Sequence, residues 1–166
     1  MDMLAVIQKR RSVREYLKKS LPKKCLEKIA DAARFAPTAR NLQPWEFVMI
    51  TRPDVLKQIA DITDHGKFIA GAQACVAVFG DNSKYYLEDC CAAIENAILE
   101  AASLKIGSCW VAGDKKPYAA AVNSLLGVPD TLKLVGLIAL GYPLTRKALR
   151  IIDKRKLEDV LHWEKF

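Results

Sequence analysis

Residues 86–104 constrain this chain more than any other stretch. Tyr86 to Leu104 puts Leu87, Cys90, Ala93, Ile94, Ala97, Ile98, Ala101 and Leu104 on one side of a helix, at helical spacing. Cys91, Ala92, Leu99 and Ala102 carry apolar character around the remainder. A helix that is apolar nearly all round must be covered on all sides, and a small domain has limited means of doing this with its own chain. Two arrangements meet the demand: a central helix enclosed by its own sheet and neighbouring helices, or a helix covered by a partner subunit. The second is favoured here.

The rest of the chain reads as alternating helices and strands. Met3 to Arg10 carries Leu4, Ile7, Ala5 and Val6 at helical spacing, and a second helix follows Pro22 and ends before Pro37. Trp45 to Thr51 and Ala74 to Gly80 read as strands, with a helix over Asp54 to Ile62 between them. Ser108 to Ala112 and Leu132 to Leu140 complete the strands, with a helix over Pro117 to Leu126. No repeat, low-complexity tract or linker interrupts the sequence, so residues 1–166 are expected to form one domain.

Composition removes several classes of protein. With 51% apolar and 27% charged residues the chain has the balance of a packed globular protein. The longest nearly uncharged apolar stretch, Leu134 to Leu144, is far shorter than the roughly 20 residues that span a bilayer. The start MDMLAVIQKRR lacks a signal-peptide core, so a cytoplasmic protein without a membrane partner is expected. Cys25, Cys75, Cys90, Cys91 and Cys109 form no C-x-x-C pair and read as reduced, buried small hydrophobes.

The net charge of +7 attracts anions of every kind, and its sign alone does not choose among them. Its distribution is more telling. One cluster is Lys9, Arg10, Arg11 and Arg14; the other is Arg146, Lys147, Arg150, Lys154, Arg155 and Lys156. Each reads singly as a solvated face, but together they have the charge to surround one phosphate.

Familiar catalytic sets are missing. His65 and His162 are the only histidines, neither has metal-ligand spacing, and no G-x-S-x-G, P-loop or G-x-G-x-x-G occurs. Four patterns remain: RRSVREY (Arg10 to Tyr16), AARFAPTARNLQPWEFV (Ala32 to Val48), GSCWVAG (Gly107 to Gly113), and ALGYP with KRKLEDVLHWEKF closing the chain. Singly each reads as a helix end, a strand entry or a strand terminus. In this order, over essentially the full length, they resemble the nitroreductase family of FMN enzymes.

The resemblance implies an α+β fold: a mostly antiparallel central sheet flanked by helices, in an interlocked homodimer with two interface sites. It implies noncovalent FMN, reduced by NADH or NADPH and reoxidised by a nitroaromatic, quinone or similar small electron-poor acceptor. No catalytic side chain is expected beyond the flavin, and no nucleic-acid partner. Residues resembling Arg10, Arg11, Ser12 and Arg14 contact the cofactor, and those resembling Pro37, Thr38, Ala39 and Asn41 reach it from the other subunit. Arg10, Ser12, Lys154 and Arg155 offer cations and a hydroxyl to a phosphate dianion, and Arg14 would stabilise negative charge on the reduced ring. The small Ala112 and Gly113 let backbone amides approach a flat ring, by resemblance at its N5 and O4 atoms. Asp89 falls where larger members carry a polar residue near the cofactor.

Two departures stand out: Lys105 occupies a position where the family usually has glycine, and the chain is short between Gly80 and Leu87, where larger members roof the substrate. Same-fold dehalogenation or flavin fragmentation, a flavin carrier without turnover, and a basic non-enzymatic binding protein are the alternatives.

Overall fold

The computed structural model describes residues 2–145 and 153–166. Arg146, Lys147 and Arg150 of the second basic cluster lie outside the described residues. Helices α1 (Met3–Lys9) and α2 (Lys23–Arg34) lead to β1 (Trp45–Ile50), α3 (Pro53–Ile62) and β2 (Ala74–Gly80). Then come α4 (Tyr86–Ser103), β3 (Gly107–Ala112), α5 (Ala119–Leu126) and β4 (Lys133–Gly141). The four strands pair antiparallel in the order β1-β2-β4-β3.

Both faces of the sheet are covered, so its central strands are apolar apart from Lys133 at the start of β4. Side chains alternate along β2: Ala74, Val76 and Val78 join the core formed with α2 and α4, while Cys75, Ala77 and Phe79 join the core that includes Leu56, Ile59 and Val122. Every residue of β2 is buried. This explains why its sequence shows no polar alternation.

Helix α4 is enclosed largely by its own chain. Cys90, Ala93, Ile94, Ala97, Ile98 and Ala101 are buried in the core shared with α2 and the sheet. Only the outer stripe, including Cys91, Ala92, Leu99 and Ala102, remains partly open. The demand for a covering partner therefore falls on that stripe and not on the whole helix.

The end of α4 uses an unusual residue. Ile106 N–H donates to Ala101 O at 2.8 Å and Lys105 N–H to Ala102 O at 3.0 Å, closing the helix with Lys105 at φ +62°. This is the left-handed turn that glycine usually occupies, formed here by lysine. Among the described residues no helix is long and apolar enough to cross a membrane. Two of the five free cysteines, Cys25 and Cys91, are half-buried, and the other three are buried.

Candidate functional site

The segment after α1 runs as an extended strip along the open edge of β3. Ser12 bridges Ser108, and Val13 N–H donates to Ser108 O at 2.8 Å. Val13 is buried beneath the strip, and a Cβ on Gly107 would lie within 3.0 Å of its side-chain carbons. Glycine at 107 thus permits this close approach. With Val13 turned inward, Ser12 and Arg14 are turned outward and exposed.

Arg10, Ser12 and Arg14 bear on a common spot. Burial pushes the Cys109 thiol up from its ordinary value, and Arg14, a hydrogen bond with Ser12, and Arg10 each oppose that rise. Neither Arg10 nor Arg14 has a carboxylate ion-pair partner among the described residues. Arg11 donates to Gln8 O at 2.7 Å.

Two clefts flank the strip. The first, about 480 Å³, is lined by Val6, Arg10, Arg11, Ile106 and Pro143 among others. The second, about 410 Å³, is lined by Arg14, His65, Phe68, Trp110, Lys116 and Tyr118, with Ala112 at the strand end. The Arg14 guanidinium lies 5.7 Å from the Phe68 ring centroid. His65, Phe68, Lys116 and Tyr118 carry no local sequence signal for a site.

The GSCWVAG turn divides its amides between two tasks. Gly113 N–H donates to Val135 O at 3.0 Å, so it is engaged in the sheet. Ala112 lies opposite Gly136, one residue before that bonded pair, and antiparallel alternation turns its N–H to the open edge. Its carbonyl accepts from the Tyr118 hydroxyl, which holds the strand end in place.

Pro37 to Asn41 form a second group elsewhere. Thr38 Oγ1 donates to Asp89 Oδ2 at 2.7 Å, Ala39 N–H reaches the same carboxylate at 3.2 Å, and Gln43 N–H donates to Thr38 Oγ1 at 3.0 Å. Arg40, Asn41 and Gln43 all adopt positive φ, a conformation that such a loop holds only when anchored. Buried Asp89 is that anchor, and its carboxylate is directed to the loop.

These two groups do not meet within one chain. The loop leads into β1 at one sheet edge and the Arg10–Arg14 strip borders β3 at the other, three strand spacings or about 14 Å away. Along α4, Asp89 and Ala102 are separated by about 20 Å at 1.5 Å per residue. Lys154 and Arg155 lie in a wholly exposed stretch, 153–166, where Arg155 donates to Asp159 O. His162 is exposed there too, its ring 4.2 Å from that of Phe166.

Taken by residue type, the β3 edge suits a flat molecule with an anionic end. It offers Arg10 and Arg14, neither in a carboxylate ion pair among the described residues, a hydroxyl, an outward amide and an aromatic-walled cleft. The residues present therefore fit a flavin phosphate.

Comparison with known proteins agrees. The model of the nitroreductase family matches residues 7–87 and 65–142 in two overlapping segments. An Archaeoglobus fulgidus protein provisionally named NADH dehydrogenase/NAD(P)H nitroreductase is 34% identical, covering 99% of each chain. The crystal structure of a Bacteroides thetaiotaomicron protein with the same provisional name superposes with a TM-score of 0.92 at 28% identity, covering 99% of this chain and 98% of that one. A Bacteroides fragilis nitroreductase with bound FMN superposes with a TM-score of 0.82 at 29% identity, covering 99% of this chain and 100% of that one.

Proposed function

The chain belongs to the nitroreductase family, and from that premise we propose that it is an FMN-dependent oxidoreductase that takes electrons from NADH or NADPH. The small electron-poor acceptors that suit such a site are nitroaromatics and quinones. One observation carries the reading: the Arg10–Arg14 strip, with Arg10 and Arg14 making no carboxylate ion pair among the described residues and its hydroxyl outward, runs along the same strand edge as the outward Ala112 N–H.

Bound FMN would supply a carrier able to accept two electrons from the nicotinamide and release them to the acceptor. The protein's own residues bind and orient. Arg10, Arg11 and Ser12 would hold the phosphate through charge-assisted hydrogen bonds, each contributing about 1.5–3 kcal/mol. Arg14 would place positive charge at the ring edge where reduction builds negative charge, raising the potential. Ala112 would donate its N–H to the ring, and the lack of a side chain at Gly113 permits close approach. No Cys or His stands in a pattern for covalent attachment.

The second group, Pro37, Thr38, Ala39 and Asn41, would come from a partner subunit, because one chain holds it too far from the β3 edge. Supporting a homodimer are the partly open Leu99 stripe of α4 and an exposed apolar tail, with Leu157 at 70% and Trp163 at 77% exposure. That tail would bring Lys154 and Arg155 to the phosphate. Asp89 would act on the cofactor only through the loop that it holds.

Purified protein should be yellow, and denaturation should release FMN. Under anaerobic conditions it should oxidise one equivalent of NADH or NADPH per flavin, and more than that only when a nitroaromatic or quinone is present. Colourless protein that does not take up added FMN would refute this reading.

A further inference from the structure

Resting on the reading above, in which the Ala112 N–H meets the flavin ring, we propose that Tyr86 and Asp114 are positioning residues for that amide. Their hydrogen bond fixes the end of β3 and so aims the Ala112 N–H at the ring nitrogen N5. The bond joins residues 28 apart in the chain, the Tyr86 hydroxyl donating to Asp114 Oδ1 at 2.8 Å. Neither residue lines the cofactor cleft, so both act from behind the strand end.

That end has little backbone support of its own. The β3–β4 ladder stops at Ala112 opposite Gly136, and the next two amides, of Gly113 and Asp114, share one acceptor, Val135 O, at 3.0 and 3.2 Å. The chain then turns away, with Lys116 N–H donating to Gly113 O at 3.2 Å and Lys115 at φ +57°. Side chains supply what the ladder no longer does. From one side the Tyr118 hydroxyl holds Ala112 O, and from the other Tyr86 holds Asp114. The two ties bracket Gly113, whose neighbour Ala112 carries the outward N–H.

Tyr86 is itself well placed for this work. A Cβ on Gly80 would fall 2.8 Å from its ring, so glycine at the end of β2 lets the ring lie against the strand, and the Lys133 ammonium at the start of β4 lies 4.6 Å from the ring centroid. Burial, and then the Asp114 carboxylate, push the Tyr86 hydroxyl up to about 12, so it stays a donor at neutral pH. The acceptor is an ionised acid, which makes the bond charge-assisted and stronger than a neutral one. The other charge beside Asp114, Lys115 Nζ at 3.9 Å, is 85% exposed and screened by solvent. Helix α4 packs on the sheet through Cys90, Ile94 and Ala97, so the fold does not depend on this bond.

The test compares FMN with 5-deazaFMN, in which carbon replaces N5 and offers the Ala112 N–H no acceptor. Dissociation constants of both are measured by fluorescence titration of the full chain. The parent should hold FMN about tenfold more tightly than 5-deazaFMN. Tyr86→Phe and Asp114→Ala should each erase most of that preference by weakening FMN alone, and the double variant should lose no more than either single one, because both act through one bond. Asp114→Asn, whose amide oxygen still accepts from Tyr86, should keep the larger part. Equal weakening of both flavins, which a purely structural bond would give, or an unchanged preference in Tyr86→Phe and Asp114→Ala, would overturn the proposal and leave the cofactor reading standing. So would a parent that binds FMN and 5-deazaFMN equally. A parent that binds neither flavin refutes the cofactor reading and the proposal together.

Discussion

Thr38 and Asp89, 51 residues apart, are joined by a 2.7 Å hydrogen bond from the Thr38 hydroxyl to the Asp89 carboxylate. The same carboxylate receives Ala39 N–H, and the Thr38 oxygen receives Gln43 N–H. A loop with three positive-φ residues thus hangs from one buried acid on α4. Asp89→Ala should cost about 1–3 kcal/mol by leaving these donors unmatched. FMN affinity should fall with it, while Asp89→Asn, whose amide oxygen accepts one bond, should lose less. Denaturant unfolding and FMN titration measure both, and an Asp89→Ala protein with unchanged FMN affinity would separate the loop from the site.

Arg10→Ala removes one charged partner from the β3 edge. FMN binding should weaken by about 1.5–3 kcal/mol, roughly ten- to a hundredfold. Riboflavin, which lacks the phosphate, should bind parent and variant alike. Equal weakening for both ligands would place Arg10 elsewhere than at the phosphate.

The two sides of α4 should respond differently to charge. Ala97 is buried in the chain's own core, so Ala97→Glu should prevent folding outright. Leu99 lies on the partly open stripe, so Leu99→Glu should leave a folded protein that sediments as a monomer and has lost FMN. A Leu99→Glu monomer that keeps parental FMN affinity would show that the site belongs to one chain.

Lys105 holds φ +62°, a conformation that disfavours side chains by about 1–2 kcal/mol and that glycine adopts freely. Part of that relief is offset by the greater freedom of an unfolded glycine. Lys105→Gly should therefore raise stability by roughly 0.5–1 kcal/mol, seen as a higher denaturation midpoint with an unchanged m-value. A lower midpoint would mean that the lysine side chain makes a compensating contact.

Burial pushes the Cys90 thiol from its ordinary value up to about 12. A group whose folded pKa is raised contributes stability that is complete below its unfolded pKa and lost as pH climbs toward the folded one. The protein should accordingly lose stability between about pH 9 and pH 12, and Cys90→Ala should flatten that decline. Unfolding curves across this range check the slope; an identical slope in the variant would assign it to other groups, such as Cys75 and Tyr86, which are also pushed up to about 12.

Local pattern alone determined the elements of this protein. The apolar spacing of Leu26, Ile29 and Ala33, and the unbroken run from Ala74 to Gly80, specify a helix and a buried strand because side-chain periodicity is a property of a few neighbouring residues. The order of the four motifs likewise marked the family before any contact was known. Whether α4 faced its own sheet or a partner was not decided there, since apolar residues on both sides suit either cover. Only the strand order β1-β2-β4-β3 settled that Arg10–Arg14 and Pro37–Asn41 lie at opposite edges. It also brought His65, Trp110 and Lys116 around one cleft. The commitments of individual polar groups were equally beyond local reading: Asp89 to Thr38, Gly113 N–H to Val135, the Tyr118 hydroxyl to Ala112. The physical reason is that a hydrogen bond needs partners within about 3 Å, and only tertiary packing brings residues distant in sequence to that separation.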